Sequence, residues 1–247
     1  MNDLDTQTLR ARLGAIRAAQ EKIGLVLDTF AGYPEWDAHV FGGFPRDLMV
    51  SGIDAVPRDL DIVLAKDCIA EVETELSKHV ERTTRFGGLH LSLRGWDVDV
   101  WSLEQTWAFR SDDRFNVAFE DLPKTTFLDV DAVAVSITGD SPHVHEHGFF
   151  DAIRARTVGL NYRPNPYPAL CAVRALDIAR RLDFSLDAEL VSYILETVRR
   201  HSTSALIEAQ ESHFGGVRLQ SPALNRMIRT LQERHGTGRG SVRLSST

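Results

Sequence analysis

Residues 41–65 read FGGFPRDLMVSGIDAVPRDLDIVLA, and the parsing of this stretch decides the fold. In its second half, Asp59–Leu64 (DLDIVL) sets acids and apolar residues at a period of two, which predicts a strand with Asp59 and Asp61 on one face. Two carboxylates side by side repel each other. A divalent cation between them relieves the repulsion, and magnesium takes carboxylate oxygens together with substrate phosphates. Upstream, a short predicted strand (His39–Phe41) runs into Gly42-Gly43, and a brief helix follows from Pro45 to about Val50. A bend without side chains lets backbone N–H groups approach phosphate oxygens, and the helix start adds its positive end. Arg46 in the first turn offers a planar, permanently charged fork for a triphosphate, and Asp47 is grouped with it as nucleotide-binding. In this order the parts read as phosphoryl transfer by positioning and electrostatics, with two metals gripping the attacking and leaving oxygens.

A third carboxylate is expected from a neighbouring strand, and WDVDVW (96–101) offers Asp97 and Asp99 on a common face. Asp99, between two valines, is preferred for catalysis and metal binding beside Asp59 and Asp61. Further out, apolar spacing from Thr6 to Phe30 predicts an amphipathic helix ended by Gly32-Tyr33-Pro34. A helix over 67–78 and extended runs at 82–86, 89–94 and 97–102 complete an α+β region with a mixed sheet. Residues 110–123 are polar and charged enough to suit a mobile loop. An extended pair is expected at 126–138 and 143–147, turning through Gly139-Asp140-Ser141-Pro142. Helices are predicted over 169–182, 186–200, 203–211 and 222–235. Gly159, Pro164 and Pro166 mark a boundary, so the expected division is 1–157, 158–236 and a disordered tail at 237–247.

Composition narrows the partners. Hydrophobic residues are 43% and charged residues 26% of the 247, as in a soluble globular protein. No apolar run reaches membrane-spanning length and the N-terminus lacks the apolar core of a signal peptide, so a cytoplasmic location without a membrane partner is expected. Cys68 and Cys171 form no metal-binding or disulfide pattern. A net charge of −7 disfavours tracking of a long duplex, although Arg218, Arg226, Arg229, Arg234, Arg239 and Arg243 give the C-terminal stretch a basic lean suited to a short RNA end.

The text Gly42-Gly43-Phe44-Pro45-Arg46-Asp47, then Asp59-Leu60-Asp61, resembles the GGxxRD and DxD motifs of the class II tRNA nucleotidyltransferase (CCA-adding enzyme) and bacterial poly(A) polymerase family. Likeness extends through Phe150–Gly159 and the run AVRALDIARRLDF, covering roughly residues 38–200. The resemblance implies a polymerase-β-like nucleotidyltransferase head with a mixed sheet, followed by a small helical neck, in a short form with head and neck only. It implies that Asp59 and Asp61 hold Mg²⁺, that Gly42, Gly43 and Arg46 meet the NTP, and that an RNA 3′ hydroxyl attacks the α-phosphate. Two family motifs are absent. The EDxxR positions hold Tyr167, Pro168, Ala169, Leu170 and Cys171, and the RRD positions hold Thr125, Thr126 and Phe127. Arg154, Arg156 and Arg163 near the boundary are further candidates for nucleotide contact. The family's body and tail have no counterpart, and a second copy in a homodimer could build the acceptor site, although the sequence leaves the oligomeric state open. NMP transfer to a protein or small molecule, and a non-catalytic nucleotide-binding module, are the competing expectations.

Other features have milder readings. His143, His145 and His147 alternate, as transition-metal ligands or as a hairpin return, and the return is favoured. Trp96, Trp101 and Trp107 suit core packing better than base stacking. Arg180-Arg181 and Arg199-Arg200 suit solvated helix faces.

Overall fold

In the computed structural model, which describes residues 3–139, 142–235 and 241–244, the apolar spacing from Thr6 to Phe30 forms two helices, α1 (Asp3–Ala19) and α2 (Glu21–Ala31). The break falls at Gln20, whose side-chain amide donates to the carbonyls of Ile53 and Ala55 at 2.8 and 3.0 Å. The helices then pass so closely that a Cβ at Gly24 would collide with the Arg17 carbonyl. There follow β1 (Ala38–Phe41), α3 (Gly43–Ser51), β2 (Asp59–Leu64), α4 (Ile69–Glu75), β3 (Val80–Thr83), β4 (Leu89–Leu93) and β5 (Trp96–Ser102). After these come α5 (Trp107–Ser111), β6 (Val133–Ser136), β7 (Val144–Glu146), α6 (Phe149–Ala155), β8 (Thr157–Val158), α7 (Pro168–Leu182) and β9 (Ser185–Asp187). Last are α8 (Ala188–Phe214), α9 (Ser221–His235) and β10 (Ser241–Arg243). No described helix is long and apolar enough to cross a membrane.

Contacts gather Met1–Thr126 with Asp131–Phe150 into one unit, and Phe127–Val130 with Asp151–Thr247 into another. The first is α+β, around a seven-stranded sheet ordered β3-β4-β5-β2-β1-β6-β7. Only β2 and β5 pair in parallel, so the sheet is mixed. Leu60, Ile62, Val98 and Val100 are buried on one face; α3 packs on β1, β2 and β6, and α4 on β5. Residues 110–123 are not the loose loop their charge suggests. Phe119 and Leu122 join Val63, Leu103, Phe109 and Ala134 in a buried cluster, with Phe115 packed against it. Asp121 accepts from the Asn116 backbone at 2.8 Å and from Lys124 at 2.5 Å.

The second unit is mainly helical, with a small sheet ordered β10-β9-β8. The break expected between residues 200 and 203 falls at Ser202 (φ 63°, ψ 165°), inside α8. The tail also departs from expectation. Residues 241–243 pair antiparallel with β9, because Val242 and Leu244 bury their side chains and Arg243 pairs with Asp183. The rest of the expected tail, and Asp140-Ser141 of the expected turn, lie outside the described residues.

Candidate active site

Parallel pairing of β2 with β5 sets Asp59 opposite Asp97 and Asp61 opposite Asp99. Registered partners share a face, so the four carboxylates emerge together, opposite the buried valines and leucine. Antiparallel neighbours extend the row: β1 sets Phe41 against Asp61, and β4 sets His90 against Asp99. Further along the same face lie Val63 and Trp101, which the 103–122 cluster covers. Phe41 meets Trp101 edge-on at 6.1 Å. The apolar cover ends here, and the acids beyond it are only partly buried or exposed.

Each acid has local company. Asp59 accepts from Arg58 Nε at 2.8 Å. Asp99 lies 2.7 Å from His90 Nδ1, whereas Asp97 Oδ1 is 3.9 Å from His90 Nε2. The Asp97 side chain is 63% exposed and that of Asp99 36%. Hard oxygen donors on one face suit magnesium. Even so, among the described residues no group of three His, Cys, Asp or Glu side chains is already gathered as a cage. The structure thus brings Asp59, Asp61 and Asp99 onto one face but leaves them spread over two strands.

The glycine bend stands next to this row, because the residue paired with Asp61 is Phe41, immediately before Gly42. Gly42 takes φ 67° and ψ −112°, which a side chain resists, and its N–H donates to the Val133 carbonyl at 3.0 Å. Arg46 differs from expectation. It is 4% exposed, its Nε donates to Asp47 Oδ1 at 2.8 Å, and its Nη1 binds Asp131. Burial alone would lower its pKa, but Asp131 and Asp47 outweigh burial and hold it above the ordinary value. A Cβ at Gly43 would lie 3.3 Å from Arg46 Nη2, so the guanidinium braces the bend. Arg46 and Asp47, expected at the phosphates, are both buried and joined with Asp131 in an ion-pair cluster. Asp131 escaped the sequence reading. Its signal is an acid inside the apolar run Leu128, Val130, Ala132, Val133, since a buried carboxylate needs a cation.

Arg154, Arg156 and Arg163 belong to the second unit. Arg154 pairs with Asp151. Arg156 reaches the carbonyls of Leu182 and Asp183 at 3.4 and 3.3 Å, closing the end of α7. Arg163 pairs with Glu196 at 2.6 Å and lies over the Tyr193 ring. Among the three histidines, His145 belongs to the hairpin strand β7 and stacks with Phe119 near His39. Burial pushes the His39 imidazole down to about 3, so it stays neutral. Trp101 donates to Thr106 at 3.1 Å.

No family model matches the sequence, and no curated protein matches it. Solved structures do. A CCA-adding enzyme in complex with CTP matches 92% of this chain and 54% of its own, with TM-score 0.61 and 15% identity. The chain has the fold of about half of a CCA-adding enzyme. The Thermotoga maritima CCA-adding enzyme complexed with tRNA matches 84% of this chain and 51% of its own, with TM-score 0.57 and 15% identity. A tRNA nucleotidyltransferase complexed with a primer tRNA and an incoming ATP analogue matches 85% and 60%, with TM-score 0.58 and 16% identity. The chain thus spans about half the length of these CCA-adding and tRNA nucleotidyltransferase structures.

Proposed function

We propose that the chain is a magnesium-dependent nucleotidyltransferase that moves an NMP from an NTP to an RNA 3′ hydroxyl, that of a tRNA in the first instance. The pairing of Phe41 with Asp61 carries this reading, since it sets the glycine bend directly beside the carboxylate row. Gly42 spends its N–H on Val133, so the donors toward phosphate are those of the first turn of α3, at Gly43 and Phe44. Asp59 and Asp61, with Asp99 from β5, are the residues that would hold Mg²⁺. The bound ion would neutralise phosphate charge and ease ionisation of the acceptor hydroxyl. The acceptor oxygen attacks the α-phosphorus, the bond from that phosphorus to the bridging oxygen breaks, and pyrophosphate leaves.

Charge supports an RNA acceptor. Residues 151–247 hold 14 arginines, no lysine and nine acids, a net +5, whereas residues 1–150 carry a net −12. Arginine forks suit phosphates, and the acidic part suits metal ions. The fold neighbours include complexes with CTP, tRNA and an ATP analogue. With labelled NTPs, magnesium and total RNA, label should enter RNA. Asp61→Ala should lower transfer by at least about a hundredfold with an unchanged thermal melt. Label on protein or small molecules would overturn the RNA acceptor. Nucleotide binding without transfer to anything would overturn the enzyme.

A further inference from the structure

Asp99 and Asp97 share a strand and a face, and each stands opposite a carboxylate of β2, yet only Asp99 of the two has a close partner on β4. The antiparallel register of β4 and β5 sets His90 opposite Asp99, with Nδ1 at 2.7 Å from Oδ1. The ring is largely sheltered, its side chain 14% exposed. Its other nitrogen faces Glu81 and Asp97 at 3.7 and 3.9 Å, beyond hydrogen-bond reach. An ionised carboxylate only accepts, so Nδ1 carries the hydrogen of this bond. One Asp99 oxygen is thereby fixed, and the other is left for a cation. Such orienting partners outside a metal's own ligands change its affinity, or the activity, by about 10–100-fold.

We propose that His90 is the positioning residue that selects Asp99 over Asp97 as the third metal-binding carboxylate and fixes its orientation. The inference rests on the proposed nucleotidyl transfer at Asp59 and Asp61. The test compares His90→Ala, His90→Gln and His90→Asn. The asparagine amide nitrogen falls near the place of Nδ1, and the glutamine nitrogen near that of Nε2. Mn²⁺ binding, followed by the spin-resonance signal of the free ion, is measured beside kcat and KM for NTP. His90→Ala and His90→Gln should each lose about tenfold or more in Mn²⁺ affinity and in kcat with KM unchanged, and His90→Asn should recover most of both. Wild-type Mn²⁺ binding and turnover in the alanine and glutamine variants, or an asparagine variant as poor as alanine, would overturn the role. Should His90→Ala fail to fold, the glutamine–asparagine contrast still decides. If the wild type neither binds Mn²⁺ nor transfers, the parent reading fails as well. If Asp61→Ala is inactive while the His90 variants behave as wild type, the positioning role alone fails.

Discussion

Arg46 shows how the setting of a residue can differ from what its type suggests. A planar cation four residues past a glycine bend suits a phosphate, but here the fork closes on Asp47 and Asp131 in the interior. Removing one partner of a buried pair strands the other charge, so Arg46→Ala should cost about 3–5 kcal/mol, read by urea unfolding. Replacing Arg46, Asp47 and Asp131 together by Met, Asn and Leu should restore most of that loss, because the desolvation cost disappears with all three charges. The common face of Asp59 and Asp61, and that of Asp97 and Asp99, were legible because a period of two is a property of neighbours in sequence. Asp131 and His90 were not, since their meaning depends on partners brought up by sheet register. The acidic row was readable residue by residue; its flanks were not.

Among the elements, β1, β2, β5 and the helices after residue 166 follow from periodicity alone. Breaks within helical stretches do not. The N-terminal helix divides at Gln20 because its amide is drawn to two carbonyls of the 52–55 turn, a tertiary demand that apolar spacing cannot report. The α8 break has a local cause. Ser202 holds positive φ with extended ψ, a region that costs a non-glycine residue about 1–3 kcal/mol. Its hydroxyl accepts weakly from Ala205 N at 3.5 Å and shares a solvent-exposed hydrogen bond of 2.8 Å with the Ser204 hydroxyl, which water replaces, so losing the side chain matters little. Ser202→Gly should raise stability by about 1 kcal/mol, and Ser202→Ala should not; thermal melts of the two variants check this. Residues 110–123 misled in the opposite direction, since three buried or half-buried side chains among many charges suffice to pin a segment.

At the scale of the whole molecule, the α+β character and the mixed sheet were legible, while the full strand order emerged only from pairing. Charge is divided steeply along the chain, −12 before residue 151 and +5 after it. If the basic part holds RNA phosphates, tRNA affinity should fall by at least about tenfold between 50 and 200 mM salt, as a filter-binding titration would show. A flat salt response would remove the RNA argument. The Arg46–Asp131 link spans 85 positions of sequence. A ribosome releases Gly42-Gly43 long before it releases Asp131, and distant contacts form only after the intervening chain is available. The nascent polypeptide therefore carries its glycine bend unbuttressed until Asp131 emerges, and the finished form of that bend arrives late in synthesis.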